Sequence, residues 1–166
     1  MKAITSMAVF AVVFGGFVSA SAQYGSGAAP KKQEREHFDP KRDPAKDLKE
    51  AVAKATKKNM RILLDVGGEW CPWCKLMDQY FIDNKKVGGY LRANFIVVKV
   101  NFSQENQNEK FLSAYPTIDS YPRLLVLEKD GTFLDAQDTG ELEQGHGYSD
   151  EKMMAFLKKW TMPKAR

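Results

Sequence analysis

Two cysteines, separated by two residues and set between a glycine break and a helix pattern, constrain this chain more than any other feature. Cys71-Pro72-Trp73-Cys74 follows a short apolar run, Arg61 to Val66 (RILLDV), which reads as a buried strand ended by Gly67 and Gly68. Lys75, Leu76, Met77, Tyr80 and Phe81 then continue as a helix. The pair thus sits at a strand-to-helix junction, where the first thiol lies beside unpaired amides and the positive end of the helix dipole, which stabilises a thiolate. No other cysteine occurs in the 166 residues, which excludes a multi-disulfide scaffold and a zinc site built from cysteine alone. The residues alone leave three readings: a redox-active pair, a structural disulfide, or half of a soft-metal site. A disulfide across so small a loop constrains the unfolded chain little, because the entropic gain grows with loop length. Two sulfurs with no Met or His cluster beside them make a thin metal site.

The compartment bears on this choice. Lys2 precedes an uncharged apolar run from Met7 to Val18, and Ser19, Ala20, Ser21 and Ala22 supply small residues for cleavage, the three-part pattern of a secretory signal. The run is well short of the roughly 20 residues that span a bilayer, and polar residues follow at once. The expectation is a signal peptide over 1–22, cleavage after Ala22, and no stable membrane association afterwards. Without a cysteine at that junction a lipid-anchored form does not fit. Export places the pair where disulfides persist, the periplasm in a Gram-negative host and the exterior otherwise. With 25 basic and 21 acidic side chains spread along the chain, nothing points to a nucleic-acid partner.

From Gln23 to Asp43 the composition turns to Gly, Pro and charged residues, which predicts a flexible polar arm. The folded domain is expected over 44–166. Asp43 and Pro44 form a helix start, with Leu48, Ala51, Val52 and Ala55 at helical spacing to about Lys58. A short helix near Lys85 to Arg92 leads to a strand over Asn94 to Phe102 with a β-branched centre. A helical stretch carries Phe111, Leu112 and Tyr115. Arg123 to Glu128 and Thr132 to Ala136 form a hairpin through Asp130-Gly131. Met153, Phe156, Leu157 and Trp160 then line one face of a last helix. Phe95, Phe111, Phe156 and Trp160 are expected in the core, and His37 and His146 in solvent. Lys75 follows Cys74 where haem attachment would need a histidine.

DVGGEWCPWCK, Asp65 to Lys75, resembles the active-site segment of the thioredoxin superfamily, and the resemblance extends from about Asp47 to Trp160. It implies an α/β thioredoxin fold with a mixed sheet of four to five strands flanked by helices. In that family a buried Asp stands six positions before the first cysteine, which places it at Asp65, and Trp70 matches the residue before that cysteine. VVKVNFSQEN resembles the family's central strand and puts Lys99 at the lysine beside the buried Asp. SYPRLLVLEKDG resembles the segment of the cis-proline, which falls on Pro122, and Gly140 matches the glycine after the final strand.

The resemblance implies a Cys71–Cys74 disulfide and a thiol-disulfide oxidoreductase acting on protein disulfides or dithiols, with a recycling partner and no cofactor or metal. Cys71, Cys74, Asp65 and Lys99 are the expected catalytic residues. A carboxyl at the end of a buried strand is desolvated, which fits Asp65 for passing protons to and from Cys74; a structural Asp satisfied by Lys99 is the alternative. Trp70, Trp73, Tyr121 and Pro122 are the expected substrate contacts, the two Trp as an apolar rim and Tyr121 through strand-like backbone pairing. Pro72-Trp73 between the cysteines, Gly67-Gly68 before them, and Tyr121 and Arg123 around Pro122 depart from ordinary thioredoxin. The resemblance therefore leaves the direction open, with reduction of substrates the working expectation. The rival from another class is a non-enzymatic binding module, carrying a soft metal or holding an unfolded chain.

Overall fold

The computed structural model describes residues 34–163; the expected signal peptide and the arm up to residue 33 lie outside the described residues. Helix α1 (Pro44–Lys58) starts where Asp43 and Pro44 predict it, with the Asp43 carboxylate accepting from the amides of Ala45 and Lys46. It ends at Asn59, whose φ of 52° is the left-handed conformation that Asn tolerates. Strand β1 (Arg61–Gly67) follows, then α2 (Pro72–Asp83), α3 (Lys85–Asn94), β2 (Phe95–Asn101) and a single turn, α4 (Glu109–Leu112). Strands β3 (Arg123–Leu127) and β4 (Phe133–Asp138) form the expected hairpin. A two-residue pair, β5 (Glu143–Gln144) and β6 (Gly147–Tyr148), precedes α5 (Asp150–Trp160).

The four long strands make one mixed sheet in the order β2-β1-β3-β4, flanked by helices. β1 runs parallel to β2 and antiparallel to β3, so it is hydrogen-bonded on both edges. Its Ile62, Leu63, Leu64 and Val66 are each at most 1% exposed, and burying a side chain of this kind stabilises by about 1.5–3 kcal/mol. Strand alternation divides them. Ile62, Leu64 and Val66 pack with Val98, Val100, Leu125 and Leu127 under α1, whereas Leu63 joins Leu124, Val126, Met77, Leu91 and Leu157 on the side of α2, α3 and α5. Asp65 stands on the second face, two residues beyond Leu63, and the parallel register sets it directly beside Lys99.

Three expectations change. Phe95 and Phe156 are core, but Phe111 and Trp160 are only half-buried at its margin: α4 is one turn long, and Trp160 ends α5 with the Arg61 guanidinium over its ring. The β5–β6 pair was not expected from the sequence; Gly145, at φ 62°, turns a strand too short to show alternation. The described part of the polar arm, 34–43, lies on the domain, with Phe38 only 1% exposed against both cysteines.

Candidate functional site

Cys71 is the N-cap of α2. Its Sγ accepts the Cys74 amide at 3.0 Å, and Pro72 occupies the first helical position, where a missing N–H leaves nothing unpaired. The two cysteines are disulfide-bonded, with Cα atoms 5.3 Å apart. Both are buried, Cys74 completely. Gly67 permits this: a Cβ there would lie 2.5 Å from Cys74 Sγ and 3.1 Å from Phe38 Cζ.

One flank of the pair is aromatic and open. Trp70 is 55% exposed, its indole N–H donating at 2.6 Å to the carbonyl of Phe102 just past β2. Its ring meets Tyr121 edge-on at 5.5 Å, and Tyr121 stacks on Phe102 at 4.9 Å. The Tyr121–Pro122 peptide is cis, and Thr139 donates to the Pro122 carbonyl at 2.6 Å. Trp73 packs against the cysteines and Phe38, as Tyr121 does, and meets Tyr148 edge-on at 5.8 Å. Beside Trp70 a groove of about 700 Å³ runs between Phe38, Phe102 and Glu105.

Behind the pair lies a charged array. Lys99 donates to Asp65 Oδ2 at 2.8 Å and also to Asp78, and all three side chains are at most 8% exposed. Asp65 Oδ1 is buried and has no hydrogen-bond partner among the described residues. Burial, and then the neighbouring charge of Asp65, push the Asp78 carboxyl above its ordinary range against the pull of Lys99. Burial works against the Lys99 charge as well, but Asp65 and Asp78 together outweigh it and hold its pKa above the usual value. The Lys99 ammonium also faces the Phe38 ring at 4.1 Å.

The arm completes the array. Arg35 donates to Glu69 at 2.8 Å and to Asp78 at 3.3 Å, and the Phe38 amide donates to the same Glu69 carboxylate at 2.9 Å. The Arg35 hydrogen bond, then the Phe38 amide working against partial burial, lower the Glu69 pKa to about 2. His37 is exposed, as expected of it, yet its Nδ1 accepts from Arg35 at 2.8 Å.

The structure pairs Cys71 with Cys74 and Asp65 with Lys99, with Phe38 packed on the cysteines and on Lys99, sets Trp70, Tyr121 and Pro122 along one flank, and packs Trp73 between the cysteines and Tyr148. Sequence reasoning missed Asp78, Glu69, Arg35 and Phe38. Asp78 had a visible signal: it follows Cys74 by four residues, on the helix face that buries Met77 and Phe81.

A disulfide that caps a helix at the end of the central strand, beside a cis-proline, is a thioredoxin-like Cys-x-x-Cys arrangement in a thioredoxin fold. The family described as Thioredoxin-like matches residues 43–129, just over half of the sequence, and the chain belongs to it. The disulphide isomerase of Xylella fastidiosa Temecula1 has a similar structure, with a TM-score of 0.63 and 27% identity over 74% of this chain and 94% of that one. The fold is shared with DsbH oxidoreductase, at a TM-score of 0.50 and 20% identity over 84% and 92% of the two chains. In sequence, mouse spermatogenesis-associated protein 20 is 38% identical over 61 residues, covering 37% of this chain. The chain spans only 8% of the length of that curated relative.

Proposed function

We propose that this chain is an exported thiol-disulfide oxidoreductase exchanging disulfides with proteins through Cys71 and Cys74. The observation that carries the reading is the disulfide at the N-terminus of α2, with the Cys71 sulfur accepting a helix amide. After reduction, that amide and the helix dipole stabilise a Cys71 thiolate in preference to Cys74. In the reducing direction the Cys71 thiolate attacks a substrate disulfide, and one substrate sulfur leaves as thiolate. Cys74 then attacks Cys71 Sγ, forming the Cys71–Cys74 bond and releasing the second substrate sulfur. Asp65, beside Lys99, accepts the proton that Cys74 must lose. The open flank of Trp70, Tyr121 and Pro122 receives the substrate chain by backbone pairing. A second redox protein returns the pair to its starting state, and the leader sequence supplies the reason to place both outside the cytoplasm.

The assay is trapping. Cys74→Ser accumulates a mixed disulfide with an oxidised protein substrate and Cys71→Ser does not; trapping by Cys71→Ser alone reverses the two roles. Reduced protein that exchanges with no disulfide and retains stoichiometric copper would be a binding module instead.

A further inference from the structure

We propose that residues 34–43 form a strap that governs proton release from Cys74, with Arg35 as its positioning residue. The inference rests on the exchange reading above and adds a control to it.

The strap packs over the pair and, through Phe38 and Pro40, shares with Trp70 and Phe102 the lining of the open groove. Phe38, 1% exposed, packs on Cys71 and Cys74 and on the Lys99 ammonium. Arg35 spans two carboxylates, Glu69 two residues before Cys71 and Asp78 one helical turn after Cys74. Beneath it a cavity of about 290 Å³ opens beside Asp65, Asp78, Lys99 and Arg92. The charged groups joined to one another beside the strap are Asp65 on β1, Lys99 on β2, Asp78 on α2 one turn beyond Cys74, and Arg35 with its partner Glu69; Phe38 packs on both Lys99 and Cys74. His37 and Tyr148 stand at the edge of the same group.

This arrangement bears on one step. When Cys74 resolves a mixed disulfide, its thiol proton passes to the array, the Cys74 thiolate forms the bond to Cys71 Sγ, and the substrate sulfur departs with the electron pair of the broken bond. For that moment the array must accommodate a negative sulfur or a newly protonated carboxyl. Burial pushes Asp78 towards neutrality, and Arg35 adds its hydrogen bond to the larger opposing pull of Lys99, favouring the anions beside it. Losing this cation therefore disfavours both the carboxylate and the thiolate, and resolution requires higher pH.

The test uses reduced full-length protein and the chromogenic disulfide 5,5′-dithiobis(2-nitrobenzoate). Attack by Cys71 releases one thionitrobenzoate, and attack by Cys74 on the resulting mixed disulfide releases the second. The pH profile of the second release reports Cys74. Arg35→Gln is expected to move its midpoint up by about one pH unit, through the Asp78 carboxylate that Arg35 holds one helical turn from Cys74, and Arg35→Lys to restore much of the shift. A strap that is merely structural lowers the melting temperature of Arg35→Gln and leaves the midpoint in place, and that result overturns the proposal. Should Arg35→Gln not melt cooperatively, Glu69→Gln decides: it removes a carboxylate and leaves the Arg35 cation to Asp78 alone, so the midpoint is expected to fall, and an unchanged profile refutes the strap's role. Wild-type protein that never releases the second thionitrobenzoate refutes the exchange reading itself, a separate outcome.

Discussion

Replacing Lys99 by Met leaves Asp65 and Asp78 facing each other in the interior with their shared cation gone. Each carboxylate is at most 8% exposed, and Asp65 already has one oxygen without a partner among the described residues, so solvent cannot take over the role of the ammonium. The folded variant meets this by holding a proton on the pair at neutral pH. A carboxyl that ionises near pH 4 when unfolded but stays neutral when folded gives up about 1.4 kcal/mol for every pH unit above that value. At pH 7 the penalty is about 4 kcal/mol; at pH 4.5 it is below about 1 kcal/mol. The wild-type Asp78 carboxyl is itself raised, so the difference between variant and wild type approaches this figure from below. The folded state binds more protons than the unfolded state, which means that stability falls as pH rises from the ordinary carboxylate range. Urea unfolding of both oxidised proteins, followed by tryptophan fluorescence at pH 4.5 and 7, measures the difference. An equal loss at the two pH values would show that packing of the lysine stem, and not the charge balance of the array, is what the substitution removes.

Glu69 gives the opposite slope. Its pKa is lowered from 4.5 to about 2 by Arg35 and the Phe38 amide, so its stabilisation is complete above pH 4.5 and is lost as pH falls towards 2. Glu69→Gln should flatten that part of the acid limb in the urea midpoint plotted against pH, while an unaltered limb would place the strap's pairing elsewhere. At Gly67 an added methyl group overlaps the Cys74 sulfur and Phe38, and Gly67→Ala is expected to cost about 1–3 kcal/mol by overpacking. Gly89 in α3 has open space at the same position, so Gly89→Ala should instead raise the melting temperature, by the equivalent of about 0.5–1 kcal/mol. The two melting curves moving in the same direction would contradict this account.

What the sequence disclosed was local chemistry joined to strand pattern. RILLDV gave a buried strand, and the glycines after it gave the junction that Cys71 caps; Asp65 and Lys99 then meet because parallel strands of equal length align them. Phe38 was hidden for a compositional reason. A lone aromatic in a charged stretch has no periodic partner, and its partners are a cysteine pair more than thirty residues away. Arg35 is one cation among 25, and only the fold singles it out. Asp78 was within reach, because a carboxylate on the apolar stripe of α2 demands a buried cation. The turn at Gly145 joins strands of two residues each, too short for periodicity to show.

Phe38 covers the cysteine pair, itself almost wholly buried, and shares one groove with Trp70. On the exchange reading, a pair reached through that one groove is a turnstile. Any molecule that loads electrons onto it must land where the molecule that removes them lands, so the two cannot be bound at once. Donor and acceptor would compete for one footprint, and an excess of either would slow the cycle it feeds.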